Sequence, residues 1–305
     1  MVQDSAYYAS IFPSDDELAE CKKILDGLID LHLHLALDTV KRTNSDIQFM
    51  ETARKIGYKA IMLKNHSNST TGTAFLLRQL YESPLVFGGL VLSAATGGLN
   101  PDAAEVALEH GAREIWLPTL YALNHIKHFG GPTLPSLIPV RPVKRPEKQS
   151  CGLSIVDKDN QLKPEVEEIL GMVADSDAIL STGHIGRDEI YVLLEAGKRA
   201  GVRKTLITHP EWVATRWSTE DQSKLAEAGA LFEHCANLDT KLTAGNIKKV
   251  GADKCVLSSD GGAVSKGHPS LVMKQFIKGL EDQGITESEI WTMTRDNPAK
   301  LLNLK

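Results

Sequence analysis

The chain has 305 residues, 42% hydrophobic and 24% charged, a balance that supports a sizeable core and excludes a disordered or fibrous protein. Its 34 basic and 39 acidic residues leave a net charge of −5, so no basic field recommends a nucleic-acid partner. The opening MVQDSAYYASIFPSDDELAE lacks the basic-then-apolar order of an export signal and no later run is long and apolar enough to span a bilayer; a cytoplasmic protein with no membrane partner is expected.

Eight short apolar runs follow in chain order: GLIDLHL from Gly27, YKAIMLK from Tyr58, LVFGGLVLS from Leu85, REIWLPT from Arg113, DAILSTGH from Asp177, KTLITHP from Lys204, GALFEHC from Gly229 and DKCVLSSD from Asp253. Each reads as a strand. Amphipathic segments separate them, opening on capping residues such as Ser45, Asn100 and Ser218 and closing on glycines such as Gly57, Gly111, Gly201 and Gly229. Eight strand–helix units predict an α/β fold, a (βα)8 TIM barrel, as one domain over residues 1–305 with the barrel over about 27–268. The fourth and fifth runs stand about sixty residues apart, which predicts an insertion over about 119–162. Its first part is rich in proline and basic residues, and SIVDKDNQLKPEV reads as a hairpin; on a barrel such a loop sits over the mouth as a lid or specificity loop. Helices over about 269–305 and the first two dozen residues are expected outside the barrel or beneath it. Cys21, Cys151, Cys235 and Cys255 lack CxxC spacing and read as reduced, buried thiols.

In a parallel barrel the functional face lies at the C-terminal ends of the strands. Histidines and acids gather there: His32 and His34 on run one, Lys64 and His66 on run two, His184 on run five, His209 on run six, Glu233 and His234 on run seven, Asp260 on run eight. Of the ten histidines only His110, His125 and His128 fall wholly elsewhere, with His268 at the border. A ring of strand ends can offer a divalent ion about four N or O donors on stiff supports. Residues i and i+2 of a strand share a face, so His32 and His34 form one pair and Lys64 and His66 a second, with Lys64 about 7 Å deeper than His66. Glu211 and Arg216 follow run six and are candidate substrate contacts, and Glu233 is a candidate ligand or a partner that orients a histidine.

The phrases DLHLH, STGHIG, ITHPE and LSSDGG, in that order over roughly residues 27–300, resemble the amidohydrolase superfamily of metal-dependent barrel hydrolases. LKNH, GGLNP, WLPT, TGH and THPE look like a small uncharacterised subgroup of it, and LKNH is also similar to the strand-two motif of the PHP family. The resemblance implies that His32, His34, His184, His209 and Asp260 ligate metal, with zinc the first choice, manganese, iron or nickel as alternatives, and one or two ions. Asp260 would also take a proton from the attacking water. His66 would ligate a second ion. Binuclear members usually carry a carboxylated lysine on strand four; run four has none, and Lys64 is the barrel-mouth candidate, either as that bridge, as a substrate-binding cation or as a lysine paired to a carboxylate. The expected activity is hydrolysis of a small-molecule amide, lactone or other ester. Two alternatives stand beside it: non-oxidative decarboxylation with one metal, and a non-catalytic binding protein that retains the metal. A homo-oligomer is left open.

Overall fold

All eight runs form strands in the computed structural model, which describes residues 6–141, 152–237 and 239–305. They are β1 (Ile29–Leu33), β2 (Ala60–Leu63), β3 (Leu85–Val91), β4 (Glu114–Trp116), β5 (Ile179–Ser181), β6 (Thr205–Thr208), β7 (Leu231–Cys235) and β8 (Cys255–Ser258). Each pairs parallel with the next in chain order. The ring closes where Leu33 bridges Gly261 and the His34 amide donates to the Gly261 carbonyl at 2.9 Å. The helices are α1 (Asp15–Leu25), α2 (Asp46–Ile56), α3 (Thr71–Leu80), α4 (Pro101–Glu109), α5 (Leu123–Phe129), α6 (Pro164–Asp175), α7 (Arg187–Ala200), α8 (Thr219–Glu227), α9 (Thr240–Val250), α10 (Pro269–Asp282), α11 (Glu287–Trp291) and α12 (Asn297–Leu301). The fold is the (βα)8 TIM barrel that the alternating runs predict.

Local chemistry sets the helix ends. Ser45 caps α2, its hydroxyl accepting from the Gln48 amide while Gln48 returns a bond to the Ser45 amide, and Gly57 ends the helix at φ 97°. Asn100 and Ser218 cap α4 and α8, and Gly201 closes α7 at φ 85°. Two apolar layers result. One lies between strands and helices and includes Leu33, Phe49, Ile61, Ile115, Leu180, Phe232 and Phe276. The other fills the barrel with Ile29, Leu31, Ala60, Met62, Trp116, Ile179, Leu206 and Val256, and Leu301 and Leu302 plug it from below. The expected bottom cap is therefore the end of the chain, reached through a π-helical turn over Thr292–Asp296.

Strand β1 carries a bulge: Asp30 pairs with Ile61 and Leu33 with Leu63, three steps against two. Below it Ile29 and Leu31 face the interior; above it Leu33 faces the helices while His32 and His34 reach the mouth. The buried Asp30 carboxylate accepts the His32 amide and the Ser259 amide, both at 3.1 Å, tying the bulge to β8.

The insertion splits into parts with different surroundings. Val156 and Leu162 pair antiparallel around the turn, as its hairpin reading expects. Tyr121 to Leu123 exchange backbone bonds with Leu153, and Pro139 pairs with Val40 of the loop after β1. Leu134, Ser136 and Leu137 line the cavity at the barrel mouth. Residues 142–151, including Cys151, lie outside the described residues. Cys21, Cys235 and Cys255 are buried free thiols. No described helix is long and apolar enough to cross a membrane.

Candidate metal centre

A cavity of about 400 Å³ opens at the C-terminal ends of the strands, lined by His32, His34, His66, His184, His209 and Asp260. Six side chains from five strand ends thus meet in one place. The Nε2 atoms of His32 and His34 lie 3.3 and 3.4 Å from the same atom, Asp260 Oδ1. The rings of His32 and His209 are 5.0 Å apart, those of His34 and His66 4.6 Å, and those of His184 and His209 5.5 Å.

Backbone details place these groups. The Gly183 φ of 56° turns the chain just before His184, and a Cβ there would stand 2.4 Å from the Leu117 carbonyl oxygen. Gly262 lets the chain after β8 pass against the His34 carbonyl, 1.7 Å from where a Cβ would stand. His209 and Asp260 themselves adopt φ of 56° and 42°. For non-glycine residues that costs about 1–2 kcal/mol each, strain of the kind that collects at functional sites.

The partners of the histidines decide which nitrogens stay free. His32 Nδ1 lies 3.0 Å from Glu233 Oε2, so Nδ1–H donates to the carboxylate and the Nε2 lone pair is left on the Asp260 side. His125 contributes in a way its position in the insertion does not suggest. Its Nε2 donates to the Thr133 carbonyl at 3.1 Å, which can only accept, so its Nδ1 is the acceptor for His184 Nδ1–H at 3.0 Å. His184 then turns its own Nε2 lone pair away from His125. Trp212 packs on His184 with ring centroids 4.6 Å apart and on His125 at 5.7 Å. His66 Nδ1 meets Thr119 Oγ1 at 2.9 Å.

Burial holds the site histidines neutral. It drives His32, His66 and His184 well below the usual imidazole range and His34 and His209 down to about 3. Burial alone would raise Asp260, but Lys266 at 3.0 Å from Oδ2 and then His32 hold it well below the carboxylate range. Neutral imidazoles thus gather round one carboxylate, the His32 Nε2 facing both Asp260 and Lys64, and His34 Nδ1 is buried with no hydrogen-bond partner among the described residues. His32, His34 and Asp260 bring their donor atoms within 4.8 Å of one another, as do His32, His209 and Cys235. This donor set fits a divalent cation.

Beneath the cavity lies a charged layer. Lys64 Nζ stands 3.1 Å from His32 Nε2 and 5.2 Å from the Trp116 ring centroid. Burial lowers its pKa, opposed by Glu233, Asp260 and Glu114. Glu114 is buried and bonded to Ser181 Oγ; burial, and then Glu233, raise it well above the carboxylate range. His66 lines the cavity, whereas Lys64 is buried outside its lining, against His32 and Trp116.

Glu211 and Arg216 both line the cavity, Glu211 buried and Arg216 exposed at the rim. The Glu211 carboxylate is already committed, accepting from His234 Nδ1 at 2.9 Å and Asn246 Nδ2 at 2.6 Å. Burial would lower His234, yet Glu211 and Cys255 lift it to about 10, so this is an ion pair on the outer face of β7. Alternation separates the two neighbours: Glu233 points into the barrel and His234 out.

Two outcomes follow from these contacts. The site histidines have folded pKa values below the unfolded value of about 6.5, so their contribution to stability is complete above that pH and is lost as pH falls toward about 3. The urea midpoint of metal-free protein should therefore fall between pH 7 and pH 5; a flat midpoint would contradict neutral burial. His125→Ala should free the His184 ring to rotate and weaken metal binding about 10- to 100-fold in a competitive chelator titration, with His125→Asn, which keeps an acceptor, losing less.

The family model described as "Family of unknown function (DUF6282)" matches residues 27–233. No curated protein matches the chain by sequence. Among solved structures, an amidohydrolase from Pseudomonas aeruginosa superposes with a TM-score of 0.61 at 11% identity, covering 94% of this chain and 98% of that one. A 2,6-dihydroxybenzoate decarboxylase from Rhizobium gives 0.55 at 11%, over 91% and 99% of the two chains. A dihydroxybenzoic acid decarboxylase from Polaromonas sp. JS666, solved with bound manganese, gives 0.55 at 12%, over 91% and 97%. At these identities the likeness is one of fold, the eight-stranded parallel barrel.

Proposed function

The chain belongs to the DUF6282 family of unknown function, and from that premise we propose that it is a metal-dependent hydrolase of a small-molecule amide, lactone or other ester. The observation that carries this reading is the meeting of His32 Nε2, His34 Nε2 and Asp260 Oδ1 at the barrel mouth, with His184 and His209 across the same cavity. His32, His34, His184, His209 and Asp260 would hold the cation, zinc being the first choice for nitrogen-rich donors, and His66 stands where it could extend the set. When bound, such an ion polarises a carbonyl oxygen and lowers the pKa of water toward neutrality.

The remaining work falls to the chain. Asp260 is the carboxylate nearest the donor cluster and accepts the proton of the attacking water, returning it to the leaving group. Lys266 orients it through Oδ2, leaving Oδ1 toward the histidines. Glu233 and His125 fix the tautomers of His32 and His184. Lys64 stands against His32 Nε2 below the site, and we read it as a buried cation in the field of Glu233, Asp260 and Glu114. Trp212, Leu134 and Leu137 give the cavity apolar wall.

Non-oxidative decarboxylation is the second reading. It is favoured by the absence of a lysine on β4, which runs Glu114-Ile115-Trp116. The test is elemental analysis of the purified protein followed by a panel of esters, lactones, amides and aryl carboxylates on the loaded enzyme. Release of acid from an ester, lactone or amide supports hydrolysis, carbon dioxide release from a carboxylate supports the second reading, and protein that takes up no divalent metal overturns both.

A further inference from the structure

Arg42, in the loop between β1 and α2, is among the most deeply buried side chains of the protein at 1% exposure, yet it lines the cavity. A guanidinium carries five N–H donors. Only its Nε and Nη2 are engaged, both with Oδ2 of the equally buried Asp38, whose Oδ1 accepts from the Thr39 amide. Nη1 has no hydrogen-bond partner among the described residues. Nη1 is not sealed off from solvent as the fully enclosed unpaired atoms are, so on the cavity wall its donors are open to an anionic ligand. The backbone around it is firmly held, since Arg42 bridges Ala263 of the loop after β8 and its amide donates to the Tyr7 carbonyl at 2.8 Å.

A second cation lines the same cavity: Lys266, from the loop after β8, three residues beyond the Ala263 that Arg42 bridges. Two cations on adjacent loops repel unless something negative lies between them, and Asp38 and Asp260 offset one charge each. A divalent ion held by the histidines would leave the cavity with excess positive charge. Trp212, Leu134, Leu137, Val213 and Leu242 give the cavity an apolar stretch of wall, while Glu211, Arg216, Asn237 and Asp239 are its further polar lining.

We propose that the cavity binds a small carboxylate with an apolar, ring-sized body, its anion held by the free edge of Arg42 with Lys266 alongside. The inference adds a substrate class to the hydrolase reading, resting on that reading only for what happens to the bound molecule. Arg42 is fitted to the role because its planar fork matches a carboxylate and it keeps its charge when buried.

Calorimetric titration of metal-free and zinc-loaded protein with benzoate and with benzamide, a neutral molecule of nearly the same shape, tests it. Benzoate should bind at least about tenfold tighter than benzamide in both forms. The pair Arg42→Gln/Asp38→Asn, which keeps polar contact without charge, should bring the two affinities together; Lys266→Met, at a half-exposed site, should narrow the gap even if the double variant does not fold. Equal affinities in the wild type would overturn the proposal. So would a preference that needs zinc and survives both substitutions, since the metal would then be holding the anion. Benzoate preference without any ester, lactone or amide turnover would leave the clamp standing and remove the hydrolase reading alone.

Discussion

Asp260→Asn is expected to lower turnover by about 10²- to 10⁴-fold while the protein still takes up metal, because an amide offers an oxygen but cannot accept the proton of the attacking water. The contacts refine this expectation. Asp260 presents Oδ1 to His32 and His34 and Oδ2 to Lys266. An asparagine must set its NH2 against one of those sides. If the amide nitrogen turns to Lys266 it meets a donor; if it turns to the histidines it removes a ligand oxygen. Some loss of metal affinity is therefore expected along with the loss of rate, and turnover should be compared at saturating metal. A rate within about tenfold of wild type under those conditions would remove the proton-transfer role.

The two histidines of β1 should behave differently when truncated, although both stand in the same cluster. His34 Nδ1 has no partner among the described residues, so His34→Ala removes a ligand and orphans no hydrogen bond at that nitrogen. Bound metal should drop to about a tenth of an equivalent or less, with a thermal midpoint close to that of the wild-type apoprotein. His32 joins Glu233, Lys64 and Asp260 through both ring nitrogens. His32→Ala should lose the metal and also leave a buried carboxylate short of its partner, at a cost of about 1–3 kcal/mol. Denaturant melts of the two apoproteins read the difference. Equal stability would mean that the Glu233 contact is dispensable, and wild-type metal content in either variant would remove the pair from the ligand set.

Much of this barrel can be read from the chain because most of its site residues lie at or just past the end of a conspicuous apolar run. DLHLH, STGH, ITHP and LSSD announce both a strand and its mouth-facing tip. Direction within a strand is harder. In GALFEHC both faces are buried, so no apolar–polar alternation tells which of Glu233 and His234 enters the barrel. Only the pleat and the finished contacts separate them. Glu211 reads as a substrate residue because it follows His209, but a histidine 23 positions away claims its carboxylate. His125 is hidden for another reason: it sits on α5 in a segment without clear periodicity, and its meaning lies in a ring nitrogen 59 positions further on. Arg42 and Asp38 are equally silent, since an i, i+4 pair in a loop reads as surface charge until burial is known.

The bulge in β1 also separates two kinds of evolutionary freedom. Below it, Ile29 and Leu31 answer to the packing of the barrel floor, and above it His32 and His34 answer to Asp260 and the cavity. In a regular strand any one-residue insertion or deletion would rotate every later side chain to the opposite face. Here the extra residue already present absorbs the phase between the two halves, and Asp30 fastens the joint to the backbone at Ser259. Loss of Leu31 would yield an unbroken zigzag in which both histidines still face inward. The floor of this strand can thus be shortened by one position, at the cost of a side chain's packing, without re-aiming the pair that meets Asp260.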